Sequence, residues 1–93
     1  MYYNKRGEEI DIMEWTELTE DEEYRKIKQE NVGKYFISTV WIGLNHNFGD
    51  GEPLIFETMV FGGKESDLDM DRYSTLKEAE KGHKKIVKKW SKK

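Results

Sequence analysis

The sequence has no cysteine and a single proline, Pro53. Without thiols a disulfide scaffold, thiolate catalysis and thiolate metal ligation are all excluded. The absence fits a reducing compartment. No apolar run approaches the ~18 residues that a membrane span requires. The opening stretch Met1–Asp11 is polar from Asn4 on, unlike a secretory leader. Apolar residues are scarce as well, at 35% against 38% charged. Aromatic residues make up 13% of the chain, and each ring brings a large apolar area. The expectation is one small domain over residues 1–93 with a thin core built on rings. Surface scaling for a chain of this mass gives roughly 5,700 Å² exposed when folded, against about 16,000 Å² unfolded.

What charge there is has been sorted along the chain. The net charge is −3, yet Glu8 to Glu23 holds nine acids and no Lys or Arg. Lys81 to Lys93 holds seven lysines and no acid. Two solvated faces are one reading of this pattern. The other is a partner-facing acidic surface, or a basic tail that touches phosphate.

The start reads as a short extended piece and a turn at Asn4–Gly7. Ile10 to Leu18 suggests a short helix whose Trp15 docks on the body. Thr19 and Glu22 have capping-box spacing, but the following segment is too polar to bury a helical face. A polar strand from about Tyr24, turning at Val32-Gly33-Lys34, competes with a helix over residues 20–31, and the strand is the reading taken. Tyr35 to Leu44 is β-branched and aromatic with both faces apolar, which predicts a central strand. Asn45 to Pro53 is a Gly- and Asn-rich loop. Leu54 to Phe61 is a second strong strand, ended by Gly62-Gly63. Lys64–Asp71 reads as an acidic loop. Thr75 and Glu78 form another capping box before the best helix, Leu76 to Trp90. Its Leu76, Ala79, His83, Ile86, Val87 and Trp90 share one face, and its late lysines suit the negative end of the helix dipole. The predicted class is α+β: an antiparallel sheet of about three strands, a C-terminal amphipathic helix packed on it and a short N-terminal helix. Trp90 should cover the sheet together with Trp41 or an aromatic of the second strand.

His83 is the most informative candidate, because its helical position points it at the sheet. It is either a core histidine held by hydrogen bonds or a ligand. Glu57 interrupts an apolar strand and needs water or a partner. His46 follows the other strong strand. Two imidazoles with Glu57, completed by water or by Asp71 or Asp69 from the acidic loop, would suit a structural zinc. Asp67, Asp69 and Asp71 are spaced like a calcium loop, but Arg72 stands where that loop needs glycine. Asn45-His46-Asn47 has a passing likeness to the His-Asn signature of metal nucleases, without the second ligand motif. No nucleophile elbow, P-loop or dinucleotide fingerprint is present. The lysine helix has no interleaved surface aromatics for stacking on bases, so direct nucleic-acid binding is not expected.

The block from Ser38-Thr39-Val40-Trp41-Ile42-Gly43-Leu44 through Pro53-Leu54-Ile55-Phe56-Glu57-Thr58-Met59-Val60-Phe61 resembles a family of small, functionally uncharacterised proteins encoded by bacteriophages and prophages. The likeness extends to Tyr3-Asn4, Gly7, Ile10, Glu14-Trp15, Arg72-Tyr73-Ser74-Thr75 and Gly82-His83. The family usually carries Asp at the position of Asn45. What the resemblance implies is a phage accessory protein of the bacterial cytoplasm. It would bind and inhibit a host defence protein, with anti-CRISPR inhibition of a CRISPR effector nuclease as the class. Size, split charge and missing catalytic constellations fit a stoichiometric binder rather than an enzyme. The expected partner surface is Glu20, Asp21, Glu22 and Glu23, whose density could mimic nucleic-acid phosphate. A metal-dependent enzyme such as a nuclease, using His46, Glu57 and His83, and a plain structural phage protein are the alternatives.

Overall fold

The computed structural model describes residues 1–45, 49 and 51–92, Ser66 by its backbone alone. The chain begins with β1 (Tyr2–Tyr3) and β2 (Glu9–Ile10), a small antiparallel pair. Asn4 holds the turn between them: its Oδ1 accepts from the backbone N–H of Arg6 and of Glu8. Next come α1 (Ile12–Thr19) and the four-residue α2 (Glu22–Arg25). Their caps are Asp11, which accepts from the Glu14 N–H, and Asp21, which accepts from the Tyr24 N–H. The capping box expected at Thr19 is therefore served by Asp21, two residues later, which fits the general preference for Asp at this position.

The main sheet follows as β3 (Lys26–Val32), β4 (Tyr35–Trp41), β5 (Phe56–Gly62) and β6 (Glu65–Tyr73). It is antiparallel throughout, in the order β3-β4-β5-β6. The two apolar runs occupy the centre, as their sequences predict. The sheet has four strands rather than three. Segment 64–71, read as an acidic loop, belongs mostly to β6, an edge strand. At the edge, only partly covered by α3, it can carry Asp67, Asp69 and Asp71, and its pairing comes from the backbone of β5. The turns before β4 and β6 hold Gly33 and Gly63 at φ 61°, a left-handed conformation that glycine adopts without strain.

The last element, α3 (Leu76–Trp90), crosses one face of the sheet and is capped by Thr75, whose hydroxyl accepts from the Glu78 N–H. It buries Ala79, Gly82, His83 and Ile86. The gap at Gly82 is filled by the Tyr73 ring, where a Cβ would collide. Two apolar clusters result. One joins Trp41, Ile55, Phe56, Tyr73 and Ala79, with Tyr3, Trp15, Leu18, Tyr24 and Ile27 packed on it. Trp15 docks as expected and donates from Nε1 to the Ile42 carbonyl at 3.0 Å. The other joins Ile37, Val60 and Ile86, with Trp90 at its rim. Trp90 meets Tyr35, ring centroids 4.7 Å apart, rather than Trp41. The reason is direction: α3 starts beside Trp41 and ends over the β3–β4 turn.

Candidate functional site

Alternation along β4 and β5 points Ile37, Thr39, Trp41, Phe56, Thr58 and Val60 at α3. Thr39 and Thr58 are direct cross-strand partners, and both are fully buried. A buried hydroxyl needs a partner. Here each finds the other, and Thr39 Oγ1 also meets His83 Nδ1 at 2.6 Å. On the far side of the ring, His83 Nε2 lies 2.7 Å from Glu30 Oε1 on β3. The carboxylate can only accept, so Nε2–H donates to it. With a neutral ring, Nδ1 then accepts from Thr39, and Thr39 accepts from Thr58. The result is a directional chain from Thr58 through Thr39 and His83 to Glu30. His83 is 2% exposed, whereas the Glu30 side chain is 38% exposed. The chain thus runs from a dry interior to solvent at a shallow depression of ≈ 280 Å³, bordered by Ile27, Lys28, Glu80 and Lys84. Beyond Thr58 lies Tyr73, whose buried hydroxyl has no partner of proper geometry among the described residues. Burial pushes that hydroxyl above its ordinary value of 10.0, and the neighbouring Thr58 partly offsets the effect.

His83 therefore points into the sheet, as its helical spacing requires. Glu57 does not join it. Glu57 pairs with Val40 and Arg72, on the opposite face of the sheet, and accepts from Arg72 Nε at 3.2 Å. The two residues are separated by the backbone layer. Asp71 is an exposed residue of the edge strand, and its Oδ1 accepts from the Arg72 N–H. His46 lies outside the described residues. The three described members of the proposed zinc set thus do not come together, and both His83 nitrogens already face a partner. No group of three or more metal-binding side chains occurs among the described residues. Asn45 accepts from the Leu54 N–H at 3.2 Å, which ties the two ends of the long loop. Glu30 was not foreseen as the partner of His83, because only the β3–β4 register places it there.

The acidic candidates Glu20, Asp21, Glu22 and Glu23 lie together at the corner between α1 and α2, and all are exposed. None has an ion-pair partner within 4.0 Å among the described residues. Asp21 spends one oxygen on the α2 cap. Aromatic packing fixes the corner, since Tyr24 stands edge-on to Trp41, centroids 4.9 Å apart, and receives the Lys5 ammonium on its ring. The lysines of α3 concentrate toward the other end of the sheet. Among them Lys89 is paired, with Asp69 Oδ2 at 2.8 Å. The same oxygen accepts from Trp90 Nε1 at 2.9 Å. The Lys89 and Trp90 hydrogen bonds hold the Asp69 carboxyl below its ordinary value.

Comparison of the chain with protein-family models, with curated proteins and with solved structures finds no match.

Proposed function

We propose that this protein is an accessory protein of bacteriophage type that binds and inhibits a host defence protein, with a CRISPR effector nuclease as the partner class. The observation that carries this reading is the unshared acidic corner. Four exposed carboxylic residues sit on a fixed turn, without ion-pair partners among the described residues, while the lysine-rich second half of α3 runs toward the other end of the sheet. Such a corner presents closely spaced negative charge, as a phosphate backbone does. A groove that evolved to hold nucleic acid is the complementary surface. The action is stoichiometric occupation of that groove.

The test is titration of a purified effector nuclease with the protein at about 50 mM and about 200 mM salt, reading cleavage and binding. Inhibition should saturate at a fixed ratio and weaken with salt. The triple change Glu20→Lys, Glu22→Lys and Glu23→Lys keeps Asp21 as the cap of α2. It should lower affinity at least about tenfold and flatten the salt dependence. Equal affinity and equal salt slope in the variant would remove the acidic corner from the partner surface.

A further inference from the structure

The face of the sheet turned away from α3 is apolar where a solvated face would be polar. An antiparallel sheet covered on one side normally alternates apolar inward and polar outward. The outward positions of the central strands here include Phe36, Val40, Met59 and Phe61, with Met70 beside them on β6. Phe36 and Phe61 are direct cross-strand partners, centroids 6.2 Å apart. Met59 and Met70 are partners too, and Met70 is 44% exposed. None of these five side chains belongs to either apolar cluster. Among the described elements, α3 is the one that packs on β5 and β6 besides their neighbouring strands.

We propose that this face binds the same face of a second copy, making a two-fold dimer in which the two sheets stack. Two pairs of polar groups on it are already made, while Lys26 and Asn31 at its β3 rim are exposed. Glu57 is paired with Arg72, and Gln29 donates from Nε2 to the Ser38 hydroxyl at 2.9 Å. No charge of one sign dominates, so the face does not select an oppositely charged partner, and a copy of itself meets it without repulsion. The edges of the sheet are guarded differently. Lys26, Lys28 and Glu30 line β3, and Asp67, Asp69 and Asp71 line β6, a pattern that blocks strand addition. Self-association is therefore directed to the face.

The geometry is self-complementary. Phe36 and Phe61 flank the midline between β4 and β5. A two-fold axis along that midline lays Phe36 of each copy over Phe61 of the other, and Ser38 over Met59, at the usual sheet spacing of ~10 Å. The area is adequate. Four strands at ~4.8 Å spacing and three outward rows at ~6.8 Å give a footprint of about 400 Å². Side-chain relief raises this to roughly 600 Å² per copy, the lower end of a specific interface.

Sedimentation velocity and light scattering from about 5 to about 500 µM decide the matter. The wild type should pass from one chain to two across this range. Phe36→Lys and Met59→Lys should stay monomeric at every concentration while retaining the circular dichroism of the wild type. Met70→Glu, on the edge strand, tests the same face at a position less demanding for folding. In ¹³C-methyl spectra, Met59 and Met70 should shift on dilution, and Met13, 74% exposed on α1, should not. A wild type that is monomeric throughout overturns the proposal. So does a dimer indifferent to Phe36→Lys, Met59→Lys and Met70→Glu, since it would use another surface. So does a monomer whose capture of a host protein is lost in Met59→Lys, because the face would then belong to that protein. The acidic-corner variant should dimerise as the wild type does, which keeps this result separate from the proposed inhibition.

Discussion

Thr39 Oγ1 serves two buried neighbours at once, the Thr58 hydroxyl and His83 Nδ1. Valine fills the same space without the oxygen, so Thr39→Val leaves both neighbours unpaired in a dry interior. The expected loss is about 1–3 kcal/mol by urea denaturation. Thr39→Ser should recover most of it, whereas a loss caused by packing alone would not be recovered. Tyr73 presents the opposite case, because its buried hydroxyl has no partner of proper geometry among the described residues. Tyr73→Phe should raise stability by roughly 1 kcal/mol near neutral pH. The sign with pH follows from burial. The folded hydroxyl titrates above its ordinary 10.0, so the neutral form is favoured in the native state. That contribution is complete below pH 10.0 and is lost as pH rises through the folded value. Thermal melts should show the wild type falling away in that alkaline range more steeply than Tyr73→Phe. Parallel curves would mean the hydroxyl titrates alike in the folded and unfolded chain.

At the scale of elements, one carboxylate ties the end of α3 to β6. Asp69 Oδ2 accepts from Lys89 and Trp90 together. With its folded value depressed below 3.8, Asp69 adds stability that is complete above pH 3.8 and is lost as pH falls through the folded value. Asp69→Asn should lower the melting midpoint at pH 7 and melt with a smaller decline between pH 5 and pH 2 than the wild type. The wild type should lose its advantage over the variant in that acid range, and a constant gap would assign the tie to Trp90 packing instead. This strand also marks where sequence reading stopped. β4, β5 and α3 were legible because burial wrote apolar alternation or a 3.6-residue stripe into them. The polar strand β3 was legible through its turn at Gly33 and the strong strand behind it. β6 lies at the edge, partly beyond the cover of α3, so acids are tolerated and its apolar signal is thin. His83 could be placed in the core from spacing alone. Its partner Glu30 could not, since a polar edge strand does not fix its own register.

For the whole molecule, charge is arranged by distance. The extents are 40 × 28 × 21 Å, and α1 and α2 pack at the Trp41 end while α3 finishes at the Tyr35 end. The nine acids of Glu8–Glu23 and the six described lysines of Lys81–Lys92 therefore concentrate toward opposite poles. Two opposing effects follow. Like charges within a pole, at roughly 8 Å in water, repel by about 0.5 kcal/mol per pair. Opposite charges across roughly 30 Å attract by only about 0.1 kcal/mol per pair before screening. The unfolded chain keeps part of the repulsion, because the charges are also neighbours in sequence, but it relaxes by extending. Within-pole repulsion should therefore win, by something on the order of 1 kcal/mol. Salt should stabilise the fold: raising NaCl from about 10 mM to about 500 mM shortens the screening length from ~30 Å to ~4 Å. The melting midpoint should then rise by about 4–8 °C. The measurement belongs at about 1 µM protein, where a weak dimer is dissociated. Reversing Lys85 and Lys88 to Glu, which breaks up the basic pole, should flatten the salt response. A midpoint that falls with added salt would mean that attraction between the poles, or ion pairs such as Lys89–Asp69, outweighs the repulsion inside them.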